Sequence, residues 1–284
     1  MTDFLTTLPA RAVIAITGDD ARSFLQRVIT KGPEGLSDGG AQFSALLTPQ
    51  GKVLADFIVF DDGEGGLLID APLSEAPALV KRFSLYRLRA KAEITVREDL
   101  AVAAARGEGE TELKTVALAA APDPRNAALG LRAIVPAGGP GDEADAYHRA
   151  RIAAGVPEFG ADYGPGEVFS TDVNHDRLGG VDYKKGCFVG QEVASRMHRK
   201  GGVRKRTLRL GFDTNSPEGR APERGAPVMA GETPLGEVTS SAGGTALALM
   251  RTDRAARALE AGEAILAGGT PARLLDDAQA LAST

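Results

Sequence analysis

The feature that most restricts the fold is a set of three strand-like runs crowded into residues 43–70. Phe43–Leu47, Val53–Phe60 and Gly66–Asp70 are joined by Thr48-Pro49-Gln50-Gly51 and by Asp61-Asp62-Gly63-Glu64-Gly65. Connections this rich in turn formers join antiparallel neighbours, so the spacing predicts a β-meander. Ahead of it, Ala12–Ile16 reads as a further strand. Gly18-Asp19-Asp20 supplies a turn and a helix N-cap, and Phe24, Leu25, Val28 and Ile29 recur at helical spacing over Ala21–Ile29.

Downstream, Ser74 can cap a helix running to about Leu88, with Leu79, Val80, Phe83 and Tyr86 on one face. Ala92–Arg97 and Ala101–Ala105 read as strands. Residues 107–145 carry little pattern beyond a strand at Leu131–Val135, and Ala144–Ala154 reads as a helix stopped by Gly155 and Pro157. The next segment, to Cys187, is long, irregular and glycine-rich. Its Phe, Val, Leu and Tyr content predicts an ordered, functional segment. After about residue 204 the pattern changes to short strands at close spacing: Arg206–Phe212, Pro227–Ala230, Leu235–Ser240, Thr245–Met250 and Pro271–Leu275, with one helical piece near Thr252–Glu260. That pattern predicts a small all-β barrel or sandwich over 204–284, behind an α+β region over 1–203.

The chemistry gathers around one residue. Cys187 is the only cysteine in 284 residues. It allows no internal disulfide, and this, with no basic and apolar leader in MTDFLTTLPARAVIAITGDD, sets the expectation of a cytoplasmic protein. No apolar run approaches the length of a membrane-spanning helix. Cys187, His148, His175 and His198 lack the spacing of a closed zinc or iron–sulfur site, so no stable metal is expected. The thiol remains open to two uses. It can be a buried small hydrophobe, or a reactive group beside Lys184 and Lys185 and ahead of a helical GQEVASRM segment.

Residues near the cysteine suit an anionic, flat ligand. Gly186 and Gly190 permit close backbone approach, Gln191 and Glu192 can meet the edge of a heterocycle, and Phe188 is either core or a stacking surface. Arg196, Arg199, Lys200, Arg204, Lys205 and Arg206 form a basic run with no acid between them. It reads as a solvated edge or as an anion site. Phe83–Lys91 alternates apolar residues with Arg87, Arg89 and Lys91, which at period two would put the cations on one face. The net charge of −5 argues against a general nucleic-acid binder.

Lys185-Gly186-Cys187-Phe188-Val189-Gly190-Gln191-Glu192 resembles the K-G-C-[YF]-x-G-Q-E signature of the YgfZ family. These are folate-binding proteins of iron–sulfur cluster assembly and repair, related to the aminomethyltransferase (T-protein) of the glycine cleavage system. GDDARSFLQRVIT, LLTPQGKVLADFIVF, YRLRAK and GVPEFGAD resemble other family segments in the same order. The resemblance implies an aminomethyltransferase-like α+β fold around a central channel with a C-terminal β-barrel. It implies a critical thiol at Cys187 and a tetrahydrofolate-type ligand near Lys185, Gly186, Phe188, Gly190, Gln191, Glu192 and Arg196, with Tyr86, Arg87 and Arg89 for the acidic tail. Partners would be iron–sulfur client or assembly proteins.

One element departs from the related transferases. Ala153 stands where their R-L-E-A-G-like element carries a pterin-contacting Glu. This favours the assembly-factor branch over a tetrahydrofolate-dependent one-carbon transferase and leaves open whether the chain is an enzyme, while the acidic net charge argues against a third reading, an RNA-binding module on Arg196–Arg206.

Overall fold

A computed structural model describes residues 3–199, 203–213, 221–276 and 281. Strands β1 (Phe4–Thr7) and β2 (Arg11–Thr17) are followed by helix α1 (Ala21–Gln26), the meander β3 (Ala41–Leu47), β4 (Val53–Asp61) and β5 (Leu67–Pro72), and helix α2 (Ala76–Arg87). Next come β6 (Glu93–Val96), β7 (Leu100–Arg106), α3 (Gly109–Val116), β8 (Ala119–Pro122), β9 (Leu131–Pro136), α4 (Ala144–Ala153) and α5 (Gln191–Arg199). The C-terminal part holds β10 (Lys205–Gly211), β11 (Pro227–Ala230), β12 (Thr233–Ala242), β13 (Thr245–Arg251), α6 (Thr252–Glu260), β14 (Ile265–Ala267) and β15 (Thr270–Leu274).

The expected meander forms the edge of a five-stranded antiparallel sheet ordered β3-β4-β5-β2-β6. Alternation explains why its strands are mostly apolar. Ile14 and Ile16, with Val53, Ala55 and Phe57, face α1 and α2, whereas Val13 and Ala15, with Ile58 and Phe60, face the second sheet. Both faces are buried, so both are largely apolar, and the polar residues they carry, such as Asp56 and Asp70, are buried. The second sheet, β1-β7-β9-β8, covers this inner face and carries α3 on its far side, where Leu113 packs on Ala103, Ala105 and Val135. The order of layers is therefore helices, sheet, sheet, helix.

The C-terminal strands close a barrel, β10-β13-β12-β11-β14-β15, with β10 pairing both β13 and β15. The irregular segment after α4 is ordered, as expected, and works as an adhesive. It bonds β4 through Val53 N to Val168 O (2.9 Å) and reaches the barrel through Thr207 N to Asp172 O (2.7 Å).

Several expectations change. Leu73–Glu75 forms a 3₁₀ turn, α2 begins at Ala76 with Pro77 in its first turn, and Ser74 makes no capping bond. The period-two reading of Phe83–Lys91 fails because the run stays helical to Arg87 and then turns at Leu88, whose φ is 51°. The patternless region hides α3 and β8. Within the basic run, Arg206 is fully buried and paired with Asp176 (2.8 Å), so it adds nothing to a surface patch. Lys200 lies outside the described residues.

Candidate functional site

The segment 180–190 is held at both ends and open in the middle. Asp182 N donates to Thr30 O (3.0 Å), and Asp182 Oδ1 accepts from the amides of Lys184 (2.8 Å) and Lys185 (3.1 Å), which closes a turn. At the far end Gly190 has φ +79°, and a Cβ there would lie 2.5 Å from Thr48 O. Gly190 is thus a packing glycine, pressed on the turn between β3 and β4, and not a ligand-facing one. Gly186 differs. A Cβ there would meet nothing within 4 Å.

Between these anchors Cys187 is exposed. Phe188 turns inward and is buried in the core beneath α1 and α2, so its reading as a stacking surface for a ligand is corrected to core. The Lys185 ammonium lies 5.1 Å from the Phe188 ring centre and donates to the carbonyl of Gln26 at the end of α1. Burial lowers the Lys185 pKa, against the raising influence of Asp182, Glu34 and Cys187. Helix α5 starts four residues after the cysteine and directs its partly positive N-terminus back toward the loop. Glu192 and Arg196 share its exposed side, and Gln191 is half-buried. His198 stacks on Tyr183, and among the described residues the buried atoms Tyr183 Oη and His198 Nδ1 have no hydrogen-bond partner.

Tyr86 and Arg87 end α2 and Arg89 follows it, and Arg87 donates to Ala92 O (2.8 Å). A tetrahydrofolate-type ligand needs a concave site with apolar walls and a few convergent polar groups. Of the residues assigned to it, Phe188 is core and Gly190 packs on the turn between β3 and β4. The cleft between α4 and the barrel, about 600 Å³, is lined instead by residues such as His148, Arg149, Arg224 and Ser240. Among the described residues no three His, Cys, Asp or Glu side chains group as metal ligands would.

A second polar constellation escaped the sequence reading. Between the two sheets, Asp70 is fully buried and accepts from Arg11 Nε (2.6 Å) and Arg132 Nε (2.7 Å). Burial would raise its pKa, but the two guanidiniums overcome this and hold it low. Arg132 continues to Tyr147 Oη (2.9 Å), which also contacts Glu158 and Arg125. Burial opposes ionisation of Glu158 too, and Arg151, Arg125 and Arg132 hold its pKa far below the usual range. Arg151 bonds Asp162 (2.6 Å), which accepts from Thr239 of the barrel (2.7 Å). Nearby, Asp56 is bonded by Tyr163 Oη and lies 3.7 Å from His175. Arg11 Nη1, Arg132 Nη2 and His175 Nδ1 are buried atoms without a hydrogen-bond partner among the described residues, with Arg11 Nη1 3.9 Å from Asp56 Oδ1. The signal was present, since Asp56, Asp70 and Arg132 interrupt otherwise apolar strands.

Comparison with known proteins adds identity. A family model for the C-terminal β-barrel domain of CAF17 matches residues 204–278. The human iron–sulfur cluster assembly factor IBA57, mitochondrial, is 31% identical over 93% of this chain and 83% of its own length. The mouse protein of the same name is 31% identical over 87% and 77%. A Neurospora crassa homologue is 32% identical over 72% of this chain, which spans only 52% of that protein. Among solved structures, the glycine cleavage system aminomethyltransferase T from Bartonella henselae superposes with a TM-score of 0.72 at 18% identity, covering 96% of this chain and 84% of that one. The expected T-protein-like fold with a C-terminal barrel is borne out.

The cytoplasmic expectation is overturned, because these IBA57 relatives are mitochondrial proteins. A lone thiol indicates only a reducing compartment and cannot separate one such compartment from another. The sequence relationship over nearly the whole chain, joined to a matching barrel and a T-protein-like architecture, makes this chain a member of the IBA57 family of iron–sulfur cluster assembly factors.

Proposed function

We propose that this protein serves iron–sulfur cluster assembly by presenting Cys187 as a cluster ligand. The observation that carries the reading is the setting of the thiol: exposed at the crest of a loop fixed on both sides, one residue before the buried Phe188. Ligation needs no oxidant. The thiol gives its proton to solvent and the sulfur lends an electron pair to iron, replacing another ligand. One thiolate is too few for a cluster, so the remaining ligands come from the protein that receives or delivers it. Such a partner is an iron–sulfur assembly or client protein, as the names of the relatives suggest, and the relatives point to a mitochondrial-type setting.

The test is complementation of a strain lacking its own factor. The wild-type chain restores activity of a dependent iron–sulfur enzyme, and Cys187→Ser does not, although both melt at the same temperature. Restoration by the Ser variant refutes the thiol role.

Tetrahydrofolate binding is a second reading, favoured by the buried atoms Arg132 Nη2 and His175 Nδ1, which among the described residues have no hydrogen-bond partner and suit a polar guest between the sheets. The T-protein-like fold is consistent with it. Titration of the full chain with tetrahydrofolate tests it: binding that survives Cys187→Ser but weakens in Arg132→Met supports a central site, and no binding removes it.

A further inference from the structure

Three of the large apolar side chains exposed on the described surface lie on or beside α2: Leu73, Leu85 at 67% and Leu88 at 85%. The inner face of α2 is committed, with Leu79 and Phe83 buried against the first sheet, so the helix cannot turn these leucines inward. Lys81 and Arg82 stand one turn before Leu85 on the exposed side, and Arg87 and Arg89 flank Leu88. From residue 81 to 91 there are five cations and no acid, in a chain whose net charge is −5. Among the described residues the side chains of Lys81, Arg82 and Arg89 make no hydrogen bond or ion pair.

Leu88 adds an independent sign. Its φ of 51° and ψ of −107° belong to a region that glycine enters freely and L side chains avoid. A leucine is held there with its side chain in solvent, where nothing in the fold rewards it.

We propose that the outer face of α2 docks an acidic protein segment that carries an apolar anchor for Leu85 and Leu88. The charge selects among occupants. Lys91 pairs with Asp19 (3.8 Å), and a second copy using the same face would set Lys81, Arg82, Arg87 and Arg89 against their own counterparts, which opposes a symmetric dimer. Two leucines suit an anchor entering a pocket better than an interfacial helix, whose whole apolar side must enter lipid. The face also lies on the layer that carries the thiol: Phe83 of α2 packs edge-on against Phe24 of α1 at 6.3 Å, and the carbonyl of Gln26 of α1 receives Lys185. A segment bound here sits on the same side of the sheet as Cys187. The inference does not depend on the role of that thiol.

The test is fluorescence anisotropy of the full chain with a labelled amphipathic peptide, leucines at i, i+3, i+4 and i+7 and glutamates at the remaining positions. The chain binds this probe and not its lysine counterpart. Leu85→Ser with Leu88→Gly weakens binding at least about tenfold, as does Arg82→Glu with Arg89→Glu. Both leucines are exposed and glycine suits the Leu88 backbone, so an unchanged melting curve shows that the fold is intact. Failure to bind the acidic probe, or equal binding by the leucine variant, overturns the proposal. So does binding to phosphatidylserine-containing vesicles in its place, or a dimer in sedimentation that the leucine variant loses.

Discussion

The phenol ring of Tyr183 lies flat on the imidazole of His198, with centroids 3.9 Å apart and planes 6° from parallel. The stack joins the chain four residues before Cys187 to the last turn of α5 beyond it. The thiol is therefore enclosed in a short loop of structure closed by an aromatic pair. Tyr183→Leu and His198→Ala should each destabilise the protein, and a double-mutant cycle in urea should give a coupling of about 0.5–1.5 kcal/mol. Strict additivity would show that the stack does not close the loop.

The two glycines of the signature should respond oppositely to alanine. Gly190 combines φ +79° with a Cβ position 2.5 Å from Thr48 O, so Gly190→Ala should cost about 1–3 kcal/mol. Gly186 has open space around it, and Gly186→Ala should fall within about 0.5 kcal/mol of wild type. Denaturant midpoints measured side by side check both, and similar losses at the two positions would contradict the packing described.

The buried network sets the acid limit of the fold. Asp70 and Glu158 have pKa values depressed in the folded state, against the effect of burial, by Arg11, Arg132, Arg151 and Arg125. A depressed carboxylate contributes stability that is complete above its unfolded value, about 3.9 for Asp and 4.3 for Glu, and is lost as pH falls through the folded value. Burial also lowers the His148 pKa, so urea stability should begin to fall below about pH 6.5 and fall more steeply below about pH 4, where Asp70 and Glu158 protonate. Glu158→Gln should flatten part of that fall and cost about 3–5 kcal/mol at neutrality, since it leaves buried guanidiniums short of an anion. An acid limb with unchanged slope in this variant would contradict the assignment.

How far the sequence reaches can be judged residue by residue. The meander and the barrel strands announce themselves because their apolar runs alternate with turn formers, and α6 was bounded at Thr252–Glu260 as observed. Helix α3 was hidden because it buries only Leu113, leaving almost no periodic signal. Strand β8 is Ala-Ala-Ala-Pro, a composition with little strand preference, and pairing with β9 decides its state. Over Phe83–Arg87 two periods fit the same residues, and burial of Phe83 against Phe57 and Phe24 selects the helix. The cysteine loop was legible as a motif. Its orientation was not, because Phe188 pointing inward and His198 pointing at Tyr183 follow from packing between distant segments. The central network was legible only as charged residues inside apolar strands, and its partners were set by tertiary structure.

The central claim is that Cys187 is a cluster ligand completed from outside the chain. The direct measurement mixes the full chain anaerobically with ferric iron, sulfide and glutathione as the external thiol. Protein-bound iron–sulfur absorption is followed together with alkylation of Cys187 by iodoacetamide. The account predicts that protection of Cys187 rises in proportion to bound cluster and that Cys187→Ser gains no bound chromophore. An equal chromophore on Cys187→Ser, or a freely alkylated Cys187 in cluster-loaded protein, would contradict it.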